Sequence, residues 1–181
     1  MPKPVQVSTY TFRDIIENGF LYVDKSRYLY ELVRYGKGIY FMARPRRFGK
    51  SLMISTLEEL FLGNRELFHS LWIDESDYGW EAHPVIRLDF SRESVTTAAE
   101  LKEVILSFIE EIAAQHHIKI PKSNYQRQWR KLIQMLAQQG KVVILIDEYD
   151  KPLIDNLENL PEAIQIRETL KHFYTVIKAM V

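Results

Sequence analysis

The 181-residue sequence contains no cysteine, carries no formal net charge and has no long apolar run. Without cysteine, disulfides, thiolate metal sites and cysteine nucleophiles are all excluded. The balance of 24 basic and 24 acidic residues creates no overall field that would draw the chain to nucleic acid or to an anionic membrane. The apolar runs are too short to span a bilayer, and no secretory signal pattern opens the chain. We therefore expect a cytoplasmic protein with no membrane partner.

The pattern of apolar residues predicts an α/β fold. Short apolar runs that are typical of strands alternate with stripes of helical spacing, which favours a parallel sheet flanked by helices. Helices are expected to start near Thr11, Ser26, Lys50 and Pro161, with two more helical stripes over 101–112 and 129–136. The expected strands are Ile39–Ala43, Val85–Phe90 and Val142–Ile146.

A basic loop between the first predicted strand and the helix at Lys50 is the strongest local signal. The loop ends in Gly49, Lys50 and Ser51, an order in which backbone N–H groups cradle phosphate, the lysine adds charge and the serine hydroxyl binds Mg²⁺. Arg44 stands where the general pattern G-x-x-x-x-G-K-[ST] has its first glycine. The alternative is an ordinary strand–turn–helix with a solvated basic turn. The predicted nucleotide-binding residues are Arg44, Pro45, Arg46, Arg47, Phe48, Gly49, Lys50 and Ser51.

Two carboxylates follow the last predicted strand. Asp147 would lie at the carboxyl end of a buried strand, where open α/β sheets place their ligands. We expect Asp147 to hold Mg²⁺ through water, together with Ser51, and Glu148 to activate the attacking water. Glu148 and Lys50 are thus the predicted catalytic residues. The alternative is an exposed acidic strand end without a function.

Three segments of the sequence resemble the AAA-ATPase-like family of bacterial P-loop proteins: Tyr22–Ser26, Arg44–Ser51 and Asp147–Pro152. The loop is also similar to the Gly-Pro-Arg-Arg-x-Gly-Lys-Thr loop of archaeal-type signalling ATPases, with Arg44 in place of the glycine. The resemblance covers nearly the whole chain and implies Walker A and Walker B motifs that bind ATP and Mg²⁺. Family members often carry a PD-(D/E)XK nuclease-like region after the ATPase part.

The number of predicted strands is smaller than the resemblance implies. Three strands are predicted where such ATPases have five, and the next strand would insert between the two motif strands. We therefore expect a helical lead-in over 1–36, packed on a P-loop core over 37–181 that is truncated after the helix following the acidic strand. The motif strands would then have open edges that favour self-association. Contact with nucleic acid through a missing C-terminal region is a further expectation.

Several polar residues have a structural alternative to a functional role. Arg46 and Arg47 either contact phosphate, or lie in solvent or pair with Asp or Glu side chains. Asp89 ends the second predicted strand and could face the site, but a role as helix cap or salt-bridge partner is favoured. For Asp150, a capping or turn role is favoured over metal binding.

Two histidines and three aromatic residues also have a structural alternative to a functional role. His116 and His117 are adjacent, so they cannot share a helix face as metal ligands do, and solvated positions near a helix end are favoured. For Trp72, Tyr78 and Trp80, packing under a loop is favoured over stacking on a nucleotide base.

The leading functional prediction is a Mg²⁺-dependent ATP hydrolase, active in a longer parent protein and weak or inactive as this fragment. The first alternative is a nucleotide-gated switch or scaffold with little or no hydrolysis. The second is a nucleic-acid-associated module that uses Arg44, Arg46 and Arg47, against which the neutral net charge counts.

Overall fold

A computed structural model describes residues 3–5, 11–36, 38–43, 45 and 48–180. The chain divides into two compact units, Met1–Val85 and Ile86–Val181. Its helices and strands are α1 (Phe12–Glu17), α2 (Ser26–Val33), α3 (Lys50–Phe61), β1 (Val85–Asp89), α4 (Ala98–Gln115), α5 (Tyr125–Leu136), β2 (Val143–Asp147), α6 (Lys151–Ile154) and α7 (Leu160–Lys178). Two short 3₁₀ helices, Arg65–Phe68 and Trp72–Glu75, precede β1. The predicted division into a lead-in over 1–36 and a core over 37–181 stays a prediction.

Strands β1 and β2 form a two-stranded parallel sheet. Parallel strands need a long crossover connection, which α4 and α5 supply here. The Phe90 amide donates to the Asp147 carbonyl at 3.3 Å, so the two strands end side by side. The predicted α/β class with a parallel sheet and flanking helices is confirmed. Among the described strands, β2 pairs with β1 alone.

The prediction of a strand at Ile39–Ala43 is wrong. Residues 38–43 form no strand, and the side chains of Ile39, Tyr40 and Phe41 are 67, 57 and 69 % exposed. An apolar run becomes a strand only when a neighbouring strand completes its hydrogen bonds. In the described residues of the first unit, no complete strand is available to pair with this run.

The helices predicted to start near Thr11, Ser26, Lys50 and Pro161 begin at Phe12, Ser26, Lys50 and Leu160. Capping side chains fix the starts of α1, α4 and α5. Thr11 and Asn124 accept from the amides of Asp14 and Arg127. Thr97 and Glu100 form a capping box at α4, and Pro161 lies in the first turn of α7. None of the described helices is long and apolar enough to cross a membrane.

The core of the second unit packs the apolar faces of α4, α5 and α7 against the sheet. At its centre the Trp129 ring stacks on Phe173, with 5.0 Å between the ring centroids. Ile86 and Leu88 project from β1 into the same core. This packing fixes α7 beside the sheet whose β2 strand ends at Asp147.

In the first unit, α1 holds α3 through two polar contacts. The Phe12 amide, at the start of α1, donates to the Ser55 hydroxyl at 2.8 Å. The Arg13 guanidinium makes a two-pronged ion pair with Glu59, at 3.0 and 2.8 Å. Such paired donors and acceptors favour one geometry over others. They fix the second half of α3 and leave its first turn at the surface.

Asp24 and Ser26 join the start of α2 to the second 3₁₀ helix. The Asp24 carboxylate accepts from the amides of Ser26 and Trp72, at 2.8 and 2.7 Å. The buried Ser26 hydroxyl accepts from the Ile73 amide at 3.1 Å. Partial burial acts to raise the pKa of Asp24, but the hydrogen bonds outweigh it and lower the pKa below its ordinary 3.8. In the structure, the Tyr22–Ser26 segment therefore joins two helix starts.

We predict that Asp24→Ala destabilises the chain in a pH-dependent way. Because the folded-state pKa is lowered, the charged side chain adds stability above about pH 4, and this contribution is lost as the pH falls through the folded-state pKa. At pH 7 the variant should lose about 0.5–2 kcal/mol, the usual cost of a lost capping side chain. Urea unfolding at several pH values measures it, with Glu75→Ala as control. A difference from wild type that does not narrow in acid would contradict the prediction.

Candidate functional site

Helix α3 begins with a glycine in the left-handed conformation. Gly49 is its N-cap, with φ 74° and ψ 24°, and the Gly49 carbonyl accepts the first helical bond from the Met53 amide at 3.0 Å. Within the part of the chain that the structure describes, no side chain caps this helix start. The amides of a first helical turn have no acceptor within the helix and carry the positive end of its dipole. Half-buried Lys50 and Ser51 occupy that turn, so the arrangement can receive an anion.

Glycine is needed at position 49 for its backbone and not for space. A Cβ atom placed there would meet no atom of the described residues within 4 Å. Its positive φ is nevertheless one that residues with a side chain adopt at a cost. The turn that presents Lys50 therefore depends on the conformational freedom of glycine.

We predict that Gly49→Ala lowers the free energy of unfolding by about 1–2 kcal/mol, the cost of a left-handed conformation for a residue with a Cβ. The matched control is Gly79→Ala, where a Cβ also meets nothing within 4 Å but φ is not in the left-handed region. Urea unfolding should show the control neutral or more stable. Equal effects of the two substitutions would refute the conformational argument.

The rest of the predicted loop is only partly described. Pro45 is exposed, and the Phe48 side chain is 63 % exposed. Arg44, Arg46 and Arg47 lie outside the described residues, so their contacts with phosphate stay predictions.

The acidic end of β2 combines a buried carboxylate with an unusual backbone. The Asp147 side chain is 4 % exposed, and its Oδ1 accepts from the Glu148 amide at 3.1 Å. Half-buried Glu148 has φ 48°, in the left-handed region that residues other than glycine seldom occupy. Such strained residues concentrate at functional sites. The backbone of Glu148 is a feature that the sequence does not indicate.

A tyrosine from α7 anchors the turn that follows β2. The Tyr174 hydroxyl donates to the Tyr149 carbonyl at 3.0 Å. The Lys151 amide closes the turn by donating to the Glu148 carbonyl at 3.0 Å. The sequence does not indicate this partner, because the contact spans 25 residues.

The predicted Mg²⁺ ligands fit that ion in their chemistry. Ser51 offers a hydroxyl and Asp147 a carboxylate, and Mg²⁺ usually takes one or two protein carboxylates together with phosphate oxygens and waters. Ser51 belongs to the first unit and Asp147 to the second, and each is described within its own unit. Among the described residues, no group of three or more His, Asp or Glu side chains could hold a metal ion.

Asp89 lies directly before the turn that follows β1, and Asp150 lies in the turn that follows β2. Asp89 ends β1, accepts from the Ser91 amide at 2.9 Å and lies 3.9 Å from the Arg92 guanidinium. Asp150 occupies the N-cap position of α6, and its carbonyl accepts from the Leu153 amide at 3.0 Å.

The aromatic and histidine residues also take structural positions. Trp72 packs edge-on against Tyr30, with centroids 5.5 Å apart, and Tyr78 packs edge-on against Trp80 at 5.2 Å. His116 and His117 lie at the end of α4, as predicted. His117 is exposed there.

Comparisons with known proteins give a family and one relative of greater length. A family model described as "Predicted AAA-ATPase" matches residues 6–181. The chain is 36 % identical over 180 residues to a protein of Azotobacter chroococcum mcd 1 with the name "Uncharacterized protein in vnfD 5'region". That match covers 97 % of this chain and 34 % of the relative, so the chain spans about a third of the relative's length. No solved structure matches the chain.

Proposed function

The chain belongs to the predicted AAA-ATPase family, and from this membership we propose that it binds ATP with Mg²⁺ at the Arg44–Ser51 loop and hydrolyses it with the help of Glu148. The observation that carries the proposal is the left-handed Gly49, which opens α3 with Lys50 and Ser51 in a first turn that no described side chain caps. A phosphate group suits that position because amides, helix dipole and lysine charge all favour an anion there.

Each residue has a distinct role in the proposed reaction. The first-turn amides and Lys50 bind the phosphates, and the Ser51 hydroxyl and Asp147 carboxylate are suited to hold Mg²⁺. The metal ion would supply positive charge to the transferred phosphate. Glu148 orients the attacking water and takes its proton. Phosphoryl transfer depends on positioning, so a rigid carboxylate is an advantage for the reaction.

We predict that Lys50→Ala weakens ATP binding by at least about tenfold, because it removes a charge directed at phosphate. Calorimetric titration with Mg²⁺–ATP measures the affinity, and circular dichroism verifies that the variant is folded. Lys102→Ala, on an exposed position of α4, is the control for loss of one positive charge. Unchanged affinity in Lys50→Ala, or no binding by folded wild type, would refute the proposed site.

We predict that Glu148→Gln keeps ATP affinity and lowers phosphate release by about a hundredfold or more, the usual contribution of a general base. The amide preserves the size of the side chain and removes its basicity. Phosphate release and calorimetric binding are measured on the same preparation. Glu158→Gln, an exposed carboxylate before α7, is the control. Equal turnover in Glu148→Gln and wild type would refute the role of Glu148 as base.

A nucleotide-gated switch with little hydrolysis is the second candidate. The observation that favours it is the exposed, non-strand segment 39–43 that precedes the loop, since hydrolysis demands tighter positioning than binding does. Binding of ATP by wild type without measurable phosphate release would select this candidate. The nucleic-acid module has weaker support, because the net charge of the chain is zero.

A further inference from the structure

We propose that Tyr174 is a positioning residue for Glu148: its hydroxyl, bound to the Tyr149 carbonyl, holds Glu148 in the left-handed backbone conformation. The effect on catalysis rests on the proposed function, whereas the effect on backbone conformation does not. In the proposed ATP hydrolysis, Tyr174 itself touches neither the substrate nor the reacting atoms.

The conformation of Glu148 requires a constraint from its surroundings. Its φ of 48° is unfavourable for a residue with a long side chain, and the hydrogen bond from its amide to Asp147 Oδ1 is a local contact within the turn. A residue stays in such a conformation only when neighbouring contacts together determine it. The contacts on each side of Glu148 identify what those constraints are.

On the side of the strand, the backbone is held by the sheet. The Phe90 amide donates to the Asp147 carbonyl at 3.3 Å, directly before Glu148. On the other side, the Lys151 amide donates to the Glu148 carbonyl, which only closes the turn upon itself. The Tyr174 hydroxyl supplies a contact from a distant element to this second side, at 3.0 Å from the Tyr149 carbonyl.

Helix α7 is a firm support for that contact. Phe173, the neighbour of Tyr174, is 1 % exposed and stacks on the Trp129 ring. Burial raises the pKa of Tyr174, and the negative charge of Asp150 and the neighbouring Tyr149 raise it further. The hydroxyl therefore stays protonated at neutral pH and remains a donor.

The chain offers a matched control in a second tyrosine of the same unit. The buried Tyr125 hydroxyl also donates to a backbone carbonyl, that of Thr169 in α7, at 3.4 Å. Tyr125→Phe thus removes the same chemical group from the same core. It leaves the turn after β2 untouched.

The first experiment separates positioning from binding in the full chain. We expect Tyr174→Phe to lower kcat for phosphate release about tenfold, because the rate of a reaction falls steeply when a catalytic group is displaced. KM and calorimetric affinity for Mg²⁺–ATP should stay unchanged, and Tyr125→Phe should leave kcat unchanged. An unchanged kcat in Tyr174→Phe, or an equal loss in Tyr125→Phe, would overturn the inference.

The second experiment tests the backbone directly and needs no activity. In wild type, loss of the Tyr174 hydroxyl lets Glu148 relax from its strained conformation, which offsets part of the lost hydrogen bond. In the Glu148→Gly background there is no strain to release. Loss of the Tyr174 hydroxyl therefore lowers the free energy of unfolding by the full contribution of its hydrogen bond. We therefore expect Tyr174→Phe to lower the urea midpoint more in the Glu148→Gly background than in wild type. Tyr125→Phe should lower it equally in both.

Additive effects of Glu148→Gly and Tyr174→Phe would overturn the inference whatever the activity. If wild type shows no phosphate release, the proposed hydrolysis fails, and the urea measurements alone decide the role of Tyr174. If wild type hydrolyses ATP and the effects are additive, the role of Tyr174 fails and the proposed function stands.

Discussion

Backbone amides and carbonyls at the ends of helices need partners, and in this protein side chains from distant elements supply many of them. An unpaired buried backbone group is costly, so each such contact favours one arrangement of two elements over others. The pairs are Ser55 with the Phe12 amide, Asp24 with the Trp72 amide, Glu162 with the Ala98 amide, Asn156 with the Val95 carbonyl and Tyr174 with the Tyr149 carbonyl. In each unit a local requirement for hydrogen bonds thereby sets tertiary geometry.

In helix α3, side-chain contacts with other elements hold the second half of the helix. Its second half is held by the Arg13–Glu59 ion pair, in which the 8 % exposed Glu59 also accepts from the Asn64 amide group at 2.6 Å. A buried carboxylate with several donors is stabilising only in the geometry that satisfies them all. The first turn receives no such contact from a capping side chain among the described residues. A helix anchored at one end thus presents the amides of its other end.

Gly49 in the first unit and Glu148 in the second both have left-handed backbone, at different cost. Gly49 adopts it readily because glycine has no Cβ. Glu148 adopts it against its preference, and a glycine there would lose the carboxylate on which the proposed chemistry depends. Glu148 shares a positive φ with three other described residues that are not glycine, Ser70, Trp80 and His117. Among these four, Glu148 is the residue to which we assign a chemical role, and strained backbone is found preferentially at functional sites.

Local signals in the sequence determined most of the helices. The glycine before Lys50, the proline in the first turn of α7 and apolar spacing act within a few residues, so the starts near Lys50 and Pro161 and the end of β2 at Asp147 could be predicted. The run at Ile39–Ala43 could not be interpreted correctly, because a strand exists only through its neighbour and the sequence does not say which neighbour is there. The positive φ of Glu148 and the hydrogen bond from Tyr174 were likewise decided by tertiary structure. Both depend on contacts between residues far apart in the chain, which the fold creates and periodicity does not record.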